Sequence, residues 1–361
     1  MNQTFADVII ITALSEEYNA VITHLNKERE EVVHKGTIYE VGKFASDHKN
    51  CKVAVVQIGM GNPNAAMETE RAIEYFKPSY VFFAGVAGGI KDVELGDVVA
   101  ANKVYGYEFG KVEDKGFKTR PEIGQSTHAM IQRAYSVARH QNWHQRIKDK
   151  DDYTPKSLVK PIAAGEKVVT SVRTEIYQGI REHYNDAVAV EMEGIGFLTA
   201  IHANLGIQGI EAIVIRGISD KLAGKSPEAD EQWQPRASHH AAAFAFQVLA
   251  EIKLKTDTNT KHNSSEATAN DWYKRLLKLV SGLYPKGPED RQIWSRAGGD
   301  IAKLDLGSTG DTNWYKALRD LKLGGGGNSI TPSSLVQTMR EDYENNLLLK
   351  QLIDELYSAP S

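Results

Sequence analysis

Up to about residue 250 the chain alternates short apolar runs with amphipathic stretches. Runs of strand length occur at Val8–Thr12, Val53–Ile58, Tyr80–Ala84, Asp97–Ala101, Val188–Met192 and Ala212–Ile215. They are almost continuously apolar, which predicts a sheet covered on both faces and largely parallel at its centre. Asn64–Tyr75 and Ile195–Asn204 carry helical periodicity between them. The reading is an α/β domain over residues 1–252, long enough to bury one substantial core.

From residue 253 to 270 the pattern is lost. K-L-K-T-D-T-N-T-K-H-N-S-S-E-A-T-A-N is polar and aperiodic and predicts a linker. Beyond it, Trp272, Leu276, Leu277, Leu279, Val280 and Leu283 form a helical stripe ending at Tyr284-Pro285. Further helices are predicted over Pro288–Ala297, Asn313–Leu323 and, once or twice, between Pro332 and Tyr357, with Gly324–Gly327 as a loop. Residues 271–361 therefore read as an all-α bundle of five or six short helices.

Composition narrows the function. Lys+Arg 43 against Asp+Glu 47 gives a net charge of −4, so no global basic field draws the protein to nucleic acid or anionic lipid. Cys51 is the single cysteine, which excludes an intrachain disulfide and a multi-cysteine zinc site. No metal or cofactor is expected. The start lacks a basic leader, and the run Val8–Leu14 is too short to cross a membrane. These features predict a soluble, cytoplasmic protein.

Ligands of open α/β sheets bind at the carboxyl ends of strands, so polar residues closing apolar runs are the candidates. Glu16 and Glu17 follow the first strand, Glu191 and Glu193 close A-V-A-V, and Arg216, Ser219 and Asp220 end E-A-I-V-I-R-G-I-S-D-K. Two glycine-rich turns, G-M-G-N at Gly59–Asn62 and A-G-V-A-G-G-I at Ala84–Ile90, would let backbone approach a ligand closely. Each feature also has a structural explanation. Glu16 and Glu17 suit a helix first turn; Glu191 and Glu193 suit a capping or solvated pair; Arg216 and Asp220 suit an ion pair. G-M-G-N lacks the spacing of a dinucleotide-binding turn. Their convergence on one sheet edge is the functional signal.

With A-L-S-E-E, G-M-G-N, K-P-S-Y-V-F-F-A-G-V-A-G-G-I, L-G-D-V-V, V-E-M-E-G and R-G-I-S-D in this order, residues 7–250 resemble the nucleoside phosphorylase/nucleosidase superfamily, most closely its methylthioadenosine/S-adenosylhomocysteine nucleosidase branch. The resemblance implies a phosphorylase-type mixed, largely parallel sheet flanked by helices. It also implies roles: Glu17 activates the attacking water, Asp220 protonates N7 of the purine, and Arg216 and Ser219 hold that aspartate. Glu193 grips the ribose hydroxyls and Met192 packs beneath the sugar, while Ala87, Gly88 and Val168 line the base and ribose pocket. Members of the branch are dimers, so a homodimer or higher homo-oligomer is implied.

Departures from the pattern refine the expectation. Phosphorylases of the hexameric type carry G-D-P-x-R near the start and an arginine before the glycine turn; here T-A-L-S-E-E and Phe83 stand in those places, which points to water as the nucleophile. Val86 replaces a serine common in the nucleosidases, and the segment after Asp220, a lid or a solvated loop, offers Lys221, Lys225, Arg236, His239 and His240. With Arg173, these are the cations available to a substrate phosphate. Residues 271–361 resemble effector-associated, death-like adaptor domains, implying an adaptor-bearing protein partner. The expected function is hydrolysis of an adenine nucleoside or nucleotide, ATP or AMP included, by a bacterial conflict effector. The alternatives are methylthioadenosine/S-adenosylhomocysteine salvage, phosphorolysis and a non-catalytic nucleoside-sensing scaffold.

Overall fold

A computed structural model describes residues 5–46, 49–114, 116–148, 153–222, 227–252, 263–307, 309–322, 324–327 and 329–358. The chain divides into two compact units, residues 1–255 and 256–361.

In the first unit the order is β1 (Val8–Thr12), α1 (Ser15–Ile22), β2 (Glu30–His34), β3 (Thr37–Ser46), β4 (Lys49–Gln57), α2 (Asn62–Phe76), β5 (Tyr80–Gly89), β6 (Val98–Gly106), β7 (Gly110–Glu113), β8 (Gly116–Thr119), β9 (Glu122–Gln125), α3 (His128–His140), β10 (Ser157–Ala164), α4 (Glu175–His183), β11 (Ala189–Glu191), α5 (Gly194–Gln208), β12 (Glu211–Lys221) and α6 (Pro227–Glu251). The main sheet runs β11-β10-β6-β12-β5-β1-β4-β3-β2, with β9 beside β6. β1, β4, β5 and β12 are mutually parallel, as the apolar runs predicted. β6 turns antiparallel against β12, and β10 and β11 follow the direction of β6. β11 then pairs antiparallel with the end of β5, closing β5, β12, β6, β10 and β11 into a ring.

One apolar core lies under α2 and α5 and includes Ile9, Ile11, Phe76, Phe83, Phe197 and Val214. The other lies under α1, α3 and α6 and includes Ile10, Phe82, Trp143, Ile213, Phe244 and Phe246. Coverage of both faces is why the central strands are apolar at consecutive positions.

Two expectations need correction. The stretch Ala84–Ile90 is mostly strand rather than a turn: β5 runs to Gly89, paired with β12 through Lys221. The segment after Asp220 is not a loop from Pro227 onward but the start of α6; residues 223–226, Lys225 among them, lie outside the described residues.

The second unit contains α7 (Asn263–Leu283), α8 (Ile293–Arg296), α9 (Gly310–Lys322), α10 (Pro332–Asp342) and α11 (Leu347–Ser358), with no strand among the described residues. Its helix begins at Asn263, inside the stretch read as linker; residues 253–262 of that stretch lie outside the described residues. Three buried tryptophans organise the core, and each indole N–H finds a carbonyl: Trp272 that of Leu352, Trp294 that of Gly326, Trp314 that of Tyr284. Pairing each buried N–H avoids the penalty of an unsatisfied donor, roughly 1–3 kcal/mol apiece.

Candidate active site

β1 passes directly into α1, which places Glu17 in the first helical turn and only 2% exposed. Its Oε2 accepts the Ala13 and Leu14 N–H groups at 2.7 and 3.0 Å, and its Oε1 accepts the Val86 N–H at 2.8 Å. Glu17 thus caps the turn and is also aimed across the end of β5. Glu16, its neighbour, is exposed. The approach depends on Gly85, where a Cβ would lie 2.1 Å from Arg216 Nη1 and 2.5 Å from Glu17 Oε1. Burial pushes the Glu17 carboxyl above the ordinary glutamate range, with Arg216 and the three N–H groups opposing it.

Glu191 and Glu193 arrive from the antiparallel half of the sheet, brought to this edge by the pairing of Val190 with Gly88. Glu191 accepts the N–H groups of Glu193 and Gly194 at 3.0 and 2.9 Å and so caps α5. Arg216 Nη2 donates to Glu191 Oε2 at 2.5 Å and to Glu193 Oε2 at 3.1 Å. Its guanidinium lies 4.3 Å from the centroid of the Phe83 ring. Arg216 is wholly buried and has no surface in the cavity. The expectation that it helps hold Asp220 gives way to a different geometry: it holds Glu193. Glu193 is pushed up to about 7, first by burial, with Arg216 opposing and Glu191 and Glu17 reinforcing.

Replacing Arg216 by Met would leave two buried carboxylates without their cation. Losing one partner of a buried ion pair costs about 3–5 kcal/mol, and urea unfolding of Arg216→Met at neutral pH is expected to register a loss of that size. A change below about 1 kcal/mol would mean that the pair contributes little.

The G-M-G-N turn supplies the other contact to Glu193. Gly61, at φ 104°, donates its N–H to Glu193 Oε1 at 3.1 Å. Asn62 anchors the turn: Nδ2 donates to Glu166 Oε1 at 2.7 Å, and Oδ1 accepts the Gly196 N–H at 2.9 Å. Glu166 is itself fixed through its N–H to Glu108 Oε2 at 2.7 Å.

A register shift between Ile218 and Asp220 interrupts the pairing of β12 with β5. Bulges of this kind redirect side chains, and both Ser219 and Asp220 line the cavity. Ser219 Oγ donates to Asp220 Oδ1 at 3.3 Å, and a Cβ on Gly88 would meet both Asp220 carboxylate oxygens at 3.4 Å. Around the same cavity stand Glu17, Ala87, Gly88, Val168, Met192 and Glu193. Of the residues to which the resemblance assigned a role, only Arg216 does not line the cavity.

Met60, from the G-M-G-N turn, also lines it, and so do Lys167 and Gln234, which were not anticipated. Lys167 follows β10, whose apolar run is broken by Lys160-Pro161, and it pairs with Glu108. Gln234 belongs to α6, whose opening turns read as polar loop. The cations proposed for a substrate phosphate lie elsewhere: Lys221 pairs with Glu94, His240 Nδ1 is 2.7 Å from the Gly96 carbonyl oxygen, and Arg236 is 5.3 Å from the Trp233 ring centroid. Neither these nor Arg173 and His239 line the cavity. Among the described residues, no group of three or more His, Cys, Asp or Glu side chains could hold a metal ion.

The ring-closed mixed sheet thus brings carboxylates together at the ends of β1, β11 and β12. Residues 7–250 match the Phosphorylase superfamily, and the chain belongs to it. It is similar to the 5′-methylthioadenosine/S-adenosylhomocysteine nucleosidase of Desulfotalea psychrophila, 26% identical over 255 residues, 68% of this chain and 97% of the relative. The enzyme of the same name from Staphylococcus epidermidis is 28% identical over 241 residues, 63% of this chain and 92% of the relative. Among solved structures, the S-adenosylhomocysteine nucleosidase of Streptococcus pyogenes in complex with 5-methylthiotubericidin superposes with a TM-score of 0.57 at 22% identity, covering 69% of this chain and 98% of that one. Futalosine hydrolase of Helicobacter pylori gives 0.55 at 21%, covering 68% and 97%. These likenesses establish a shared fold.

Proposed function

We propose that the first unit is a purine nucleosidase that hydrolyses the N-glycosidic bond of an adenine nucleoside or nucleotide. The observation that carries this reading is one cavity into which Glu17, Glu193 and Asp220 all open. In the proposed step a water oxygen bonds to C1′ and Glu17 takes its proton, while the C1′–N9 electron pair leaves with the purine. Asp220 delivers a proton to N7, so the products are neutral adenine and a free sugar. Glu193 accepts hydrogen bonds from the ribose hydroxyls, contacts that favour the flattened, cationic sugar. Burial strengthens Glu17 as a base, since a higher carboxyl pKa means a greater proton affinity. A non-catalytic scaffold would have no use for this acid–base set.

Water is favoured over phosphate by Phe83. It stands where the phosphorylases of the resemblance carry an arginine, fully buried against Phe197 and Arg216. Among the described residues, Lys167 is the one cation that lines the cavity, which gives a 5′-phosphate a single partner there. Met60, Val168 and Leu222 favour the second reading, a 5′-alkylthio substituent as in the substrates named for the relatives. The deciding experiment incubates the protein with ATP, AMP, adenosine and methylthioadenosine, with and without phosphate. Free adenine at the same rate in both buffers is expected. A sugar 1-phosphate formed only with phosphate would overturn the hydrolytic reading.

The pH profile follows from Glu193. A carboxyl pushed up to about 7 becomes an acceptor at both oxygens, with no O–H of its own, only as pH rises through that value. kcat/KM, which reports the free enzyme, is therefore expected to climb between about pH 6 and 8, and Glu193→Gln is expected to remove that limb along with most of the activity. A flat wild-type profile would detach Glu193 from sugar binding.

We also infer a cytoplasmic homo-oligomer. The exposed Phe109, Val112, Phe117 and Ile123 on and around the β7–β8 hairpin supply apolar surface for self-association of the first unit. We read the second unit as an adaptor through which a protein partner recruits the enzyme, in a bacterial conflict system.

A further inference from the structure

Glu193 is gripped at both carboxylate oxygens. Oε2 accepts from Arg216 Nη2 at 3.1 Å and Oε1 from the Gly61 N–H at 3.1 Å. A carboxylate has about four lone-pair sites, so each oxygen keeps one free, enough for two neighbouring ribose hydroxyls. Arg216 is fixed by complete burial and by its ion pair with Glu191. Gly61 has no such anchor of its own. Its φ of 104° is a conformation that glycine tolerates without enforcing it, so something outside the turn must hold its N–H on Glu193.

That support comes from Glu166, which follows β10. Gly61 caps α2 with no side chain to offer, and the first N–H of the helix, that of Asn62, donates instead to Glu166 Oε1 at 3.2 Å, across 104 positions of sequence. The same oxygen accepts Asn62 Nδ2 at 2.7 Å, and a negative charge at this end of α2 suits the helix dipole. Asn62 Oδ1 completes the link by taking the Gly196 N–H at 2.9 Å, in the first turn of α5, the helix that Glu193 precedes. The backbone of Glu166 is anchored in turn by its N–H to Glu108 Oε2 at 2.7 Å. Glu166 is exposed, and neither it nor Asn62 lines the active-site cavity.

We propose that Glu166 is a positioning residue for Glu193: by capping α2 and gripping Asn62 it keeps the Gly61 N–H on Glu193 Oε1, and so keeps the anionic carboxylate aimed at the sugar. This rests on the nucleosidase reading and adds to it a residue that touches no substrate. Glu166 can act on Glu193 in two ways of opposite sign. As a neighbouring anion it disfavours ionisation of Glu193; as the holder of a hydrogen-bond donor it favours ionisation. The other charged groups facing Glu193 are Arg216 from β12, Glu191 from β11 and Glu17 from α1, each held by contacts that do not involve Glu166. Asp220 and Lys167 line the same cavity.

The test compares full-length wild type with Glu166→Ala and Glu166→Gln in two readouts. One is kcat/KM for adenine release from adenosine and methylthioadenosine between about pH 5 and 10, which reports groups of the free enzyme. The other is carboxyl-carbon NMR of isotope-labelled glutamate, with the Glu193 resonance assigned by its loss in Glu193→Gln. Glu166→Ala is expected to move the Glu193 midpoint and the rising limb up by about one pH unit, the size of a weakened hydrogen bond to a charged group. kcat/KM then falls about tenfold on the acid side and converges with wild type above the limb. Glu166→Gln, whose amide oxygen still accepts from Asn62, is expected to stay at or below the wild-type midpoint. Asn62→Ala, which gives up the Nδ2 grip, is expected to move it upward as Glu166→Ala does. Loss by one factor at every pH with the midpoint unmoved would leave Glu166 a structural cap; a midpoint moved downward in Glu166→Ala would leave it a neighbouring charge. Either result overturns the proposal. The NMR midpoint needs no turnover, so an upward shift in a protein that releases no adenine overturns the nucleosidase reading and leaves the link from Glu166 to Glu193 standing.

Discussion

Asp220→Asn is expected to slow adenine release by roughly 10²–10⁴, the span that a positioned general acid contributes, while the fold persists. The amide has the shape of the carboxyl, so the Ser219 Oγ contact and the fit against Gly88 survive. What it lacks is an acidic proton for the departing purine. Without that proton the leaving group departs as an anion in a cavity also lined by Glu17, Glu191 and Glu193. Single-turnover adenine release, read beside circular dichroism, checks the outcome. Activity within tenfold of wild type would place the acid elsewhere.

Glu17→Gln is expected to be nearly as damaging to turnover and, in addition, harmful to stability. Three backbone N–H groups converge on the two oxygens of Glu17, from Ala13 and Leu14 on one side and Val86 on the other. An amide presents an acceptor to one side and turns N–H hydrogens toward the other, so at least one buried donor loses its partner. That costs roughly 1–3 kcal/mol, and the general-base contribution lost with the carboxylate is again about 10²–10⁴ in rate. Calorimetric binding of a non-hydrolysed adenine nucleoside analogue separates the two effects. Retained binding with collapsed turnover and a lowered Tm fits the assignment; normal turnover with a lowered Tm would leave Glu17 a cap and nothing more.

Much of the first unit could be read from residues because its central strands are buried on both faces. β1 and β12 announce themselves as unbroken apolar runs, and the carboxylates that close β1, β11 and β12 do meet. What escaped depends on contacts distant in sequence or on mixed local signals. β10 was hidden by Lys160-Pro161 within its run. The β2–β3 hairpin alternates charge with apolar residues around Lys35-Gly36, both at positive φ, a turn signature outweighed by the glutamates. The opening of α6 was obscured by its polar composition and by Pro235. Arg216 illustrates the limit for the site: its neighbours along β12 include Asp220, but its partners are the two glutamates of another strand, met only because β11 closes the ring. The polar residues were visible, but their pairing was set by topology.

The three-residue strand β11 is bonded along both edges, to β10 on one side and to Gly88–Gly89 of β5 on the other. A strand held this way is locked in length. Inserting or deleting one residue would send every following side chain to the opposite face, taking Glu191 from Arg216 and Glu193 from the cavity together. Lys221 ends β12, and the Leu222 N–H still bonds the Gly89 carbonyl at 3.2 Å. Diversification of the pocket along β11 is therefore confined to substitution, since a change of length there displaces both glutamates together.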